Sequence, residues 1–99
     1  FYSGESARAV AEMRAAAACW LLQERLPDWD LAIVGVAELH TATEALWHGW
    51  DERHRLNRIA SAAPARAALV AVYEAVDRLI GRLAAAFPDA VIAAFAVHG

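Results

Sequence analysis

The sequence predicts an α/β fold with a parallel sheet, in the order helix, strand, long connection, helix, strand. Segments 5–25 and 65–86 have the composition or the apolar spacing of helices, and segments 31–37 and 90–97 are apolar runs without polar alternation. A strand that helices cover on both faces has such a continuous apolar sequence. Because a helix that crosses between neighbouring strands makes them parallel, the second helix and its flanking strands would form one right-handed βαβ unit.

The first predicted helix and strand are separated by a proline turn. Segment 5–25 is rich in alanine, leucine, arginine and glutamate, with no interior glycine or proline, and Ser3 or Ser6 can cap its N-terminus. Pro27 cannot continue the helix, so the helix ends before it. The run 31–37 follows and has the length of a buried strand.

A long connection, 38–63, leads to the second helix. It lacks sustained periodicity, although residues 41–48 could form two helical turns. Connections of this length are usually functional or disordered. Ser61 and Pro64 signal a helix start, and apolar residues recur at spacings of three and four through 65–86. The second helix therefore has one apolar stripe, which would pack on the sheet.

Composition limits the chain to one domain at most and argues against two classes of partner. A net charge of −3, with nine basic residues spread along 99 positions, leaves no positive patch for a nucleic-acid polymer. No apolar run reaches the roughly 18 residues that span a membrane. Cys19 is the only cysteine, so it forms no internal disulfide. Since the chain starts at Phe1 and stops at Gly99 directly after an apolar run, we expect 1–99 to be part of a longer domain, incomplete at both ends. Location and oligomeric state stay open.

Histidine and acidic residues are concentrated in the first part of the long connection. His40 and Glu44 are four residues apart, so on a helix they share one face and could bind one cation, and His48 lies a further turn along the same stripe. Imidazole and carboxylate suit zinc, manganese or iron better than calcium or magnesium. The alternative is a solvated helix face without metal.

The predicted sheet would bring distant residues to one rim. Glu38 and His40 leave the carboxyl end of the first strand, and His98 leaves that of the second. Parallel strands share their carboxyl edge, and open α/β sheets bind ligands outside it. The strand order therefore predicts a site at this rim.

Several short motifs follow one another along nearly the whole chain. They are Trp29-Asp30-Leu31, Glu38-x-His40, Trp47-His48-x-x-Asp51-x-x-His54, Val72-Tyr73, Ile80-Gly81 and Phe95-x-x-His98-Gly99. In this order they resemble part of an alkaline phosphatase superfamily enzyme, and the type I phosphodiesterase and nucleotide pyrophosphatase branch is the nearest match. The resemblance implies an alkaline phosphatase-like parallel-sheet domain.

The resemblance also implies a two-metal hydrolase, usually with zinc and alternatively with manganese. A Thr or Ser nucleophile would attack phosphorus in line while the metals stabilise the attacking and leaving oxygens. The substrate would be a small phosphodiester or pyrophosphate, or a phosphate or sulfate monoester. The family nucleophile lies on an earlier strand, so no catalytic residue is expected within 1–99 and this chain alone should be inactive.

The resemblance implies His40, Glu44 and His98 as metal ligands. One metal would take His40 and Glu44 with a distant histidine, and the other would take an Asp-His pair that falls on Val97 and His98. Glu44 stands where relatives commonly have a histidine, and it can still ligate. Val97 stands where they have an aspartate, and it cannot. The alternative is a non-catalytic relative that keeps the fold as a binding or regulatory module.

Four further residues are candidates for supporting roles. Glu38 could fix the tautomer of a ligand imidazole, or it could be a solvated acid at a strand end. His48, Asp51 and His54 match the branch's Trp-His-x-x-Asp-x-x-His motif. They could shape a substrate pocket, or they could brace the long connection.

Overall fold

The computed structural model describes residues 2–97, and its regular elements are all helical. The three main helices are α1 (Tyr2–Trp20), α2 (Glu38–Leu46) and α3 (Ala62–Ala86). A π-helical turn, Leu21–Arg25, extends α1, and a 3-10 turn, Trp47–Gly49, follows α2. No strand is present between residues 2 and 97. The predicted α/β parallel-sheet fragment is therefore wrong.

Both apolar runs that were predicted as strands are irregular. Along 31–37 the residues alternate between exposed and half-buried, so this run is covered on one face only, and 91–97 is exposed throughout. No backbone hydrogen bond joins the two runs within the described chain. Two paired strands are marginal without further strands or a covered face, and the alanines in 90–97 lower its β propensity. Within residues 2–97, the runs thus lack the neighbouring strands that a sheet requires.

The helix predictions are confirmed. Segment 5–25 corresponds to α1 and its π-helical extension, and 65–86 lies within α3. The two turns predicted at 41–48 correspond to α2 and the 3-10 turn after it. Between residues 2 and 97, no helix combines the length and the apolar character that crossing a membrane demands.

Small residues on α1 let α3 approach closely. Ala7 packs in one buried cluster with Leu69 and Val72, and Ala11, one turn later, packs in another with Ala75. Because the contacts advance in the same direction along both chains, α1 and α3 run parallel. The helix backbones can lie close because alanine side chains separate them by little.

The second helix closes the core across the α1–α3 pair. Ala42 and Leu46 join the cluster of Ala7 and Leu69, and Leu39 packs against both clusters. The buried apolar residues are Ala7, Ala11, Ala15, Ala42, Leu46, Ala62, Ala65, Leu69, Val72, Ala75, Val76 and Leu79. Most are alanines, which bury little area each, so the few large side chains provide most of the hydrophobic stabilisation.

Two contacts tie the far ends of α1 and α3 together. The indole of Trp29 donates a hydrogen bond to the Leu22 carbonyl (3.2 Å), and its ring meets Phe87 edge-on with centroids 5.2 Å apart. Phe87 is the residue at which α3 ends. Both apolar runs therefore begin at the same end of the molecule.

An ion-pair network lies on the solvent side of α1. Arg8 contacts Glu5 at 2.9 Å and Glu12 at 2.7 Å, and Glu12 also lies 3.6 Å from Arg78 of α3. The hydrogen bond to Glu5 and the charge of Glu12 raise the pKa of Arg8 above its ordinary value. These groups are exposed or half-exposed, so the network orients side chains more than it stabilises the fold.

Candidate functional site

The predicted metal pair lies on the solvent face of α2. His40 Nε2 is 3.5 Å from Glu44 Oε1, and their side chains are 58% and 71% exposed. A tetrahedral ion with bonds of about 2.1 Å holds two of its ligand atoms about 3.4 Å apart. The pair therefore has the separation that one cation requires, and both side chains are largely exposed.

The rest of the predicted ligand set is not assembled in the described part of the chain. Among residues 2–97, no group of three or more His, Cys, Asp or Glu side chains is placed to hold a metal ion. His98, the third predicted ligand, lies outside the described residues. The convergence of Glu38, His40 and His98 at one rim was derived from the sheet, so it loses its geometric basis with the sheet.

Glu38 is buried and paired across the core with α1. Its Oε1 accepts hydrogen bonds from Nε (3.1 Å) and Nη2 (2.7 Å) of Arg14, and only 6% of the residue is exposed. The alternative of a solvated acid is therefore wrong. Oε2 has no hydrogen-bond partner within the described chain. The carboxylate lies in the first turn of α2, where the helix dipole favours negative charge. Its partner is a guanidinium, and the suggested role toward a ligand imidazole stays a prediction.

His48 leaves the α2 stripe and turns toward α3. Because α2 ends at Leu46, His48 lies in the 3-10 turn, where its Nε2 is 3.2 Å from Ser61 Oγ. The Asn57 side-chain amide donates to the His48 carbonyl at 2.8 Å. His48 therefore joins the two ends of the connection, and the predicted stripe holds only His40 and Glu44.

Asp51 and His54 organise the turns between these contacts. The His54 backbone N–H donates to the Asp51 carbonyl at 2.9 Å, and the Leu56 N–H donates to His54 Nδ1 at 3.2 Å. An acceptor Nδ1 places the proton of a neutral imidazole on Nε2, which leaves no ring lone pair for a metal. The His48 and His54 rings lie 6.2 Å apart. These contacts fit the bracing role, and the substrate-pocket role of the motif stays a prediction.

The tryptophans of the connection line a shallow surface depression. It has a volume of about 390 Å³ and is lined by Trp47, Trp50, Asp51, Glu52 and Arg53. The Arg66 guanidinium lies over the Trp50 ring, 5.1 Å from its centroid. Both tryptophans remain about half exposed. The structure thus places Trp50 against a cation from α3.

Comparison with family models, with curated proteins and with solved structures gave no match. The resemblance to the alkaline phosphatase superfamily therefore stays a prediction from the motifs.

Sequence reasoning missed two partners of the candidate residues. Arg14 lies 24 residues from Glu38, and no local pattern connects them. The sequence indicates Ser61 as a helix start, and Ser61 does stand at the N-terminus of α3, but within the described chain its side chain makes no capping hydrogen bond. Its hydroxyl instead contacts His48, which a search for polar groups near the histidines could have suggested.

Proposed function

We propose that this chain is part of a metal-dependent hydrolase of phosphodiester or pyrophosphate bonds, in which His40 and Glu44 hold a divalent cation. Zinc is the expected ion and manganese the second choice. The observation that supports the proposal is the 3.5 Å separation of His40 Nε2 and Glu44 Oε1 on an exposed helix face. Phosphate and sulfate monoesters are further substrate candidates.

The two side chains have distinct tasks in this proposal. His40 would contribute its imidazole nitrogen Nε2 to the cation, and Glu44 would contribute a carboxylate oxygen. When bound, a divalent cation supplies Lewis-acid stabilisation of charge on phosphoryl oxygens. Because both donors lie on the solvent face of α2, an anionic ester can approach without displacing any part of the core.

A second candidate function is non-catalytic binding. Val97 supports it, since this position carries an aspartate in the family that the motifs resemble and valine has no ligating atom. A chain with one intact metal position could bind an anionic ligand through that ion and leave the ester bond unbroken.

Calorimetric titration of the purified chain with zinc and with manganese tests the metal pair. Loss of an outer-shell partner typically weakens metal binding by about 10- to 100-fold, so His40→Ala and Glu44→Ala should each weaken it by at least that factor. Glu24→Ala is the matched control, because it removes an exposed acid from the π-helical turn. Glu44→His should tighten zinc binding. Equal affinities for the wild type and the His40→Ala/Glu44→Ala double variant would contradict the proposal.

A further inference from the structure

The two apolar runs leave large hydrophobic side chains in solvent. Neither 31–37 nor 90–97 contains a charged residue. Their large side chains that are more than three-quarters exposed are Leu31, Ile33, Val91, Phe95 and Val97. Monomeric soluble proteins rarely expose extensive apolar patches, and those that do generally use them for binding.

The first run is covered on one side and bare on the other. Ala32, Val34 and Val36 are half-buried, and Val36 packs against the cluster of Ala11, Ala75 and Val76. The alternate residues face away, and Ile33 is 84% exposed. The helices therefore cover one face of this run, and the opposite face has no cover within the described chain.

The molecule has a larger accessible surface area than a compact monomer of the same mass. The accessible area is 7263 Å², whereas a compact monomer of 10.7 kDa exposes about 5,500 Å². The radius of gyration is 15.7 Å, against about 13 Å for a compact chain of this length. The excess area is about twice the roughly 800 Å² that each partner contributes to a standard protein interface.

We propose that a second copy of this chain covers the two runs, in a two-fold symmetric dimer centred on 31–37 and 90–97. A two-fold interface places the same patch of each copy together, so that patch must be self-complementary. The two uncharged apolar runs satisfy this condition, because no like charges oppose each other when each run meets its own copy. The excess area of the whole elongated molecule is larger than the roughly 800 Å² that one partner buries in a standard interface.

The charges at one end of the runs constrain how the copies meet. Asp28 and Asp30 precede the first run and Asp89 precedes the second, at the end where Trp29 contacts Phe87. These acids would repel their copies, so the two-fold axis lies away from this end. Since burial of apolar area drives the association, added salt should leave the dimer intact or strengthen it.

Sedimentation velocity of the 99-residue chain tests the dimer. Protein concentrations from about 1 to about 200 µM cover the range in which a dimer with a micromolar dissociation constant forms and dissociates. We expect a concentration-dependent shift from 10.7 kDa to twice that mass. Ile33→Glu and Phe95→Glu should each weaken dimerisation by about tenfold or more. Both positions are more than 80% exposed, so circular dichroism should show an unchanged helical fold.

Met13→Glu is the matched control. Met13 is 70% exposed on α1 and lies outside both runs, so this variant should dimerise as the wild type does. The proposal is overturned by a chain that stays monomeric at every concentration, which would leave the runs to a different partner. It is equally overturned if the glutamate variants at 33 and 95 assemble like the wild type, or if association disappears when salt is added.

Discussion

Replacing Gly49 with alanine should push α3 away from the turn that precedes it. Gly49 is buried at the end of the 3-10 turn, packed against the first turns of α3. A Cβ atom there would meet the Ala62 carbonyl oxygen and the Arg66 backbone nitrogen inside van der Waals distance, and Ala65 C at 2.9 Å. All three are backbone atoms, so no side chain can rotate to make room.

The cost follows from this rigidity. Overpacking a well-packed site costs about 1–3 kcal/mol, and backbone obstruction places Gly49→Ala toward the upper part of that range. Alanine also lowers the conformational entropy of the unfolded chain, which offsets about 0.4–1 kcal/mol of this destabilisation. The net loss of about 2 kcal/mol corresponds to a fall in Tm of roughly 8–16 °C for a domain of this size.

Gly81→Ala is the matched control within the same helix system. Gly81 lies inside α3, and a Cβ atom there would meet no atom of the described residues within 4 Å. Alanine in a helix interior is more stable than glycine by about 0.5–1 kcal/mol, so this variant should melt later than the wild type. Thermal unfolding followed by circular dichroism measures both. If Gly49→Ala melts at or above the wild-type temperature, the close packing of the turn on α3 is refuted.

Three further substitutions test the core and the bracing contacts. Leu69→Ala should cost about 2–5 kcal/mol in urea unfolding, because the residue is 1% exposed; a loss below about 1 kcal/mol would show that the core collapses around it. Arg14→Met leaves the buried carboxylate of Glu38 without its partner and should lower the free energy of unfolding by about 3 kcal/mol. Adding Glu38→Gln to this variant should partly restore that stability. A double variant no more stable than Arg14→Met would contradict that pairing. His48→Leu breaks the contact with Ser61 and should cost about 1 kcal/mol without changing zinc affinity; weaker zinc binding would instead assign His48 to the metal site.

The helices could be predicted because their signals are local. Residue composition in 5–25 and apolar spacing in 65–86 depend only on neighbours within a turn or two, and the turn at Pro27 is equally local. The strands failed for the opposite reason. An apolar run indicates that a segment favours burial, but whether it becomes a strand depends on which segments lie beside it. For 31–37 the helices cover one face, and no segment between residues 2 and 97 covers the other.

The candidate site also has features that local spacing predicts and features that depend on distant residues. The His40–Glu44 pair follows from a spacing of four on a helix, and the structure places the two donor atoms on one face as that spacing requires. The burial of Glu38 depends on an arginine 24 residues away. His48 lies off the stripe of His40 and Glu44 because α2 ends at Leu46. The exact end of a helix is difficult to predict from sequence.

Val97→Asp separates the two proposals because it should change zinc binding and dimerisation in opposite directions. Val97 is 88% exposed in the second apolar run, so a carboxylate there places like charges in the proposed interface and should weaken dimerisation by about tenfold or more. It also restores the ligating side chain that the family resemblance implies, so zinc binding should gain a second, carboxylate-dependent site. Val97→Asn is the matched control: it makes the run polar without a charge, and its neutral amide is a poor zinc ligand. If Val97→Asp dimerises more weakly and binds no additional zinc, the second metal position is rejected and the dimer proposal is retained. If Val97→Asp binds additional zinc and dimerises as the wild type does, the second metal position is supported and the dimer proposal is rejected. A charge tolerated at this position would mean that the second run is not in the interface.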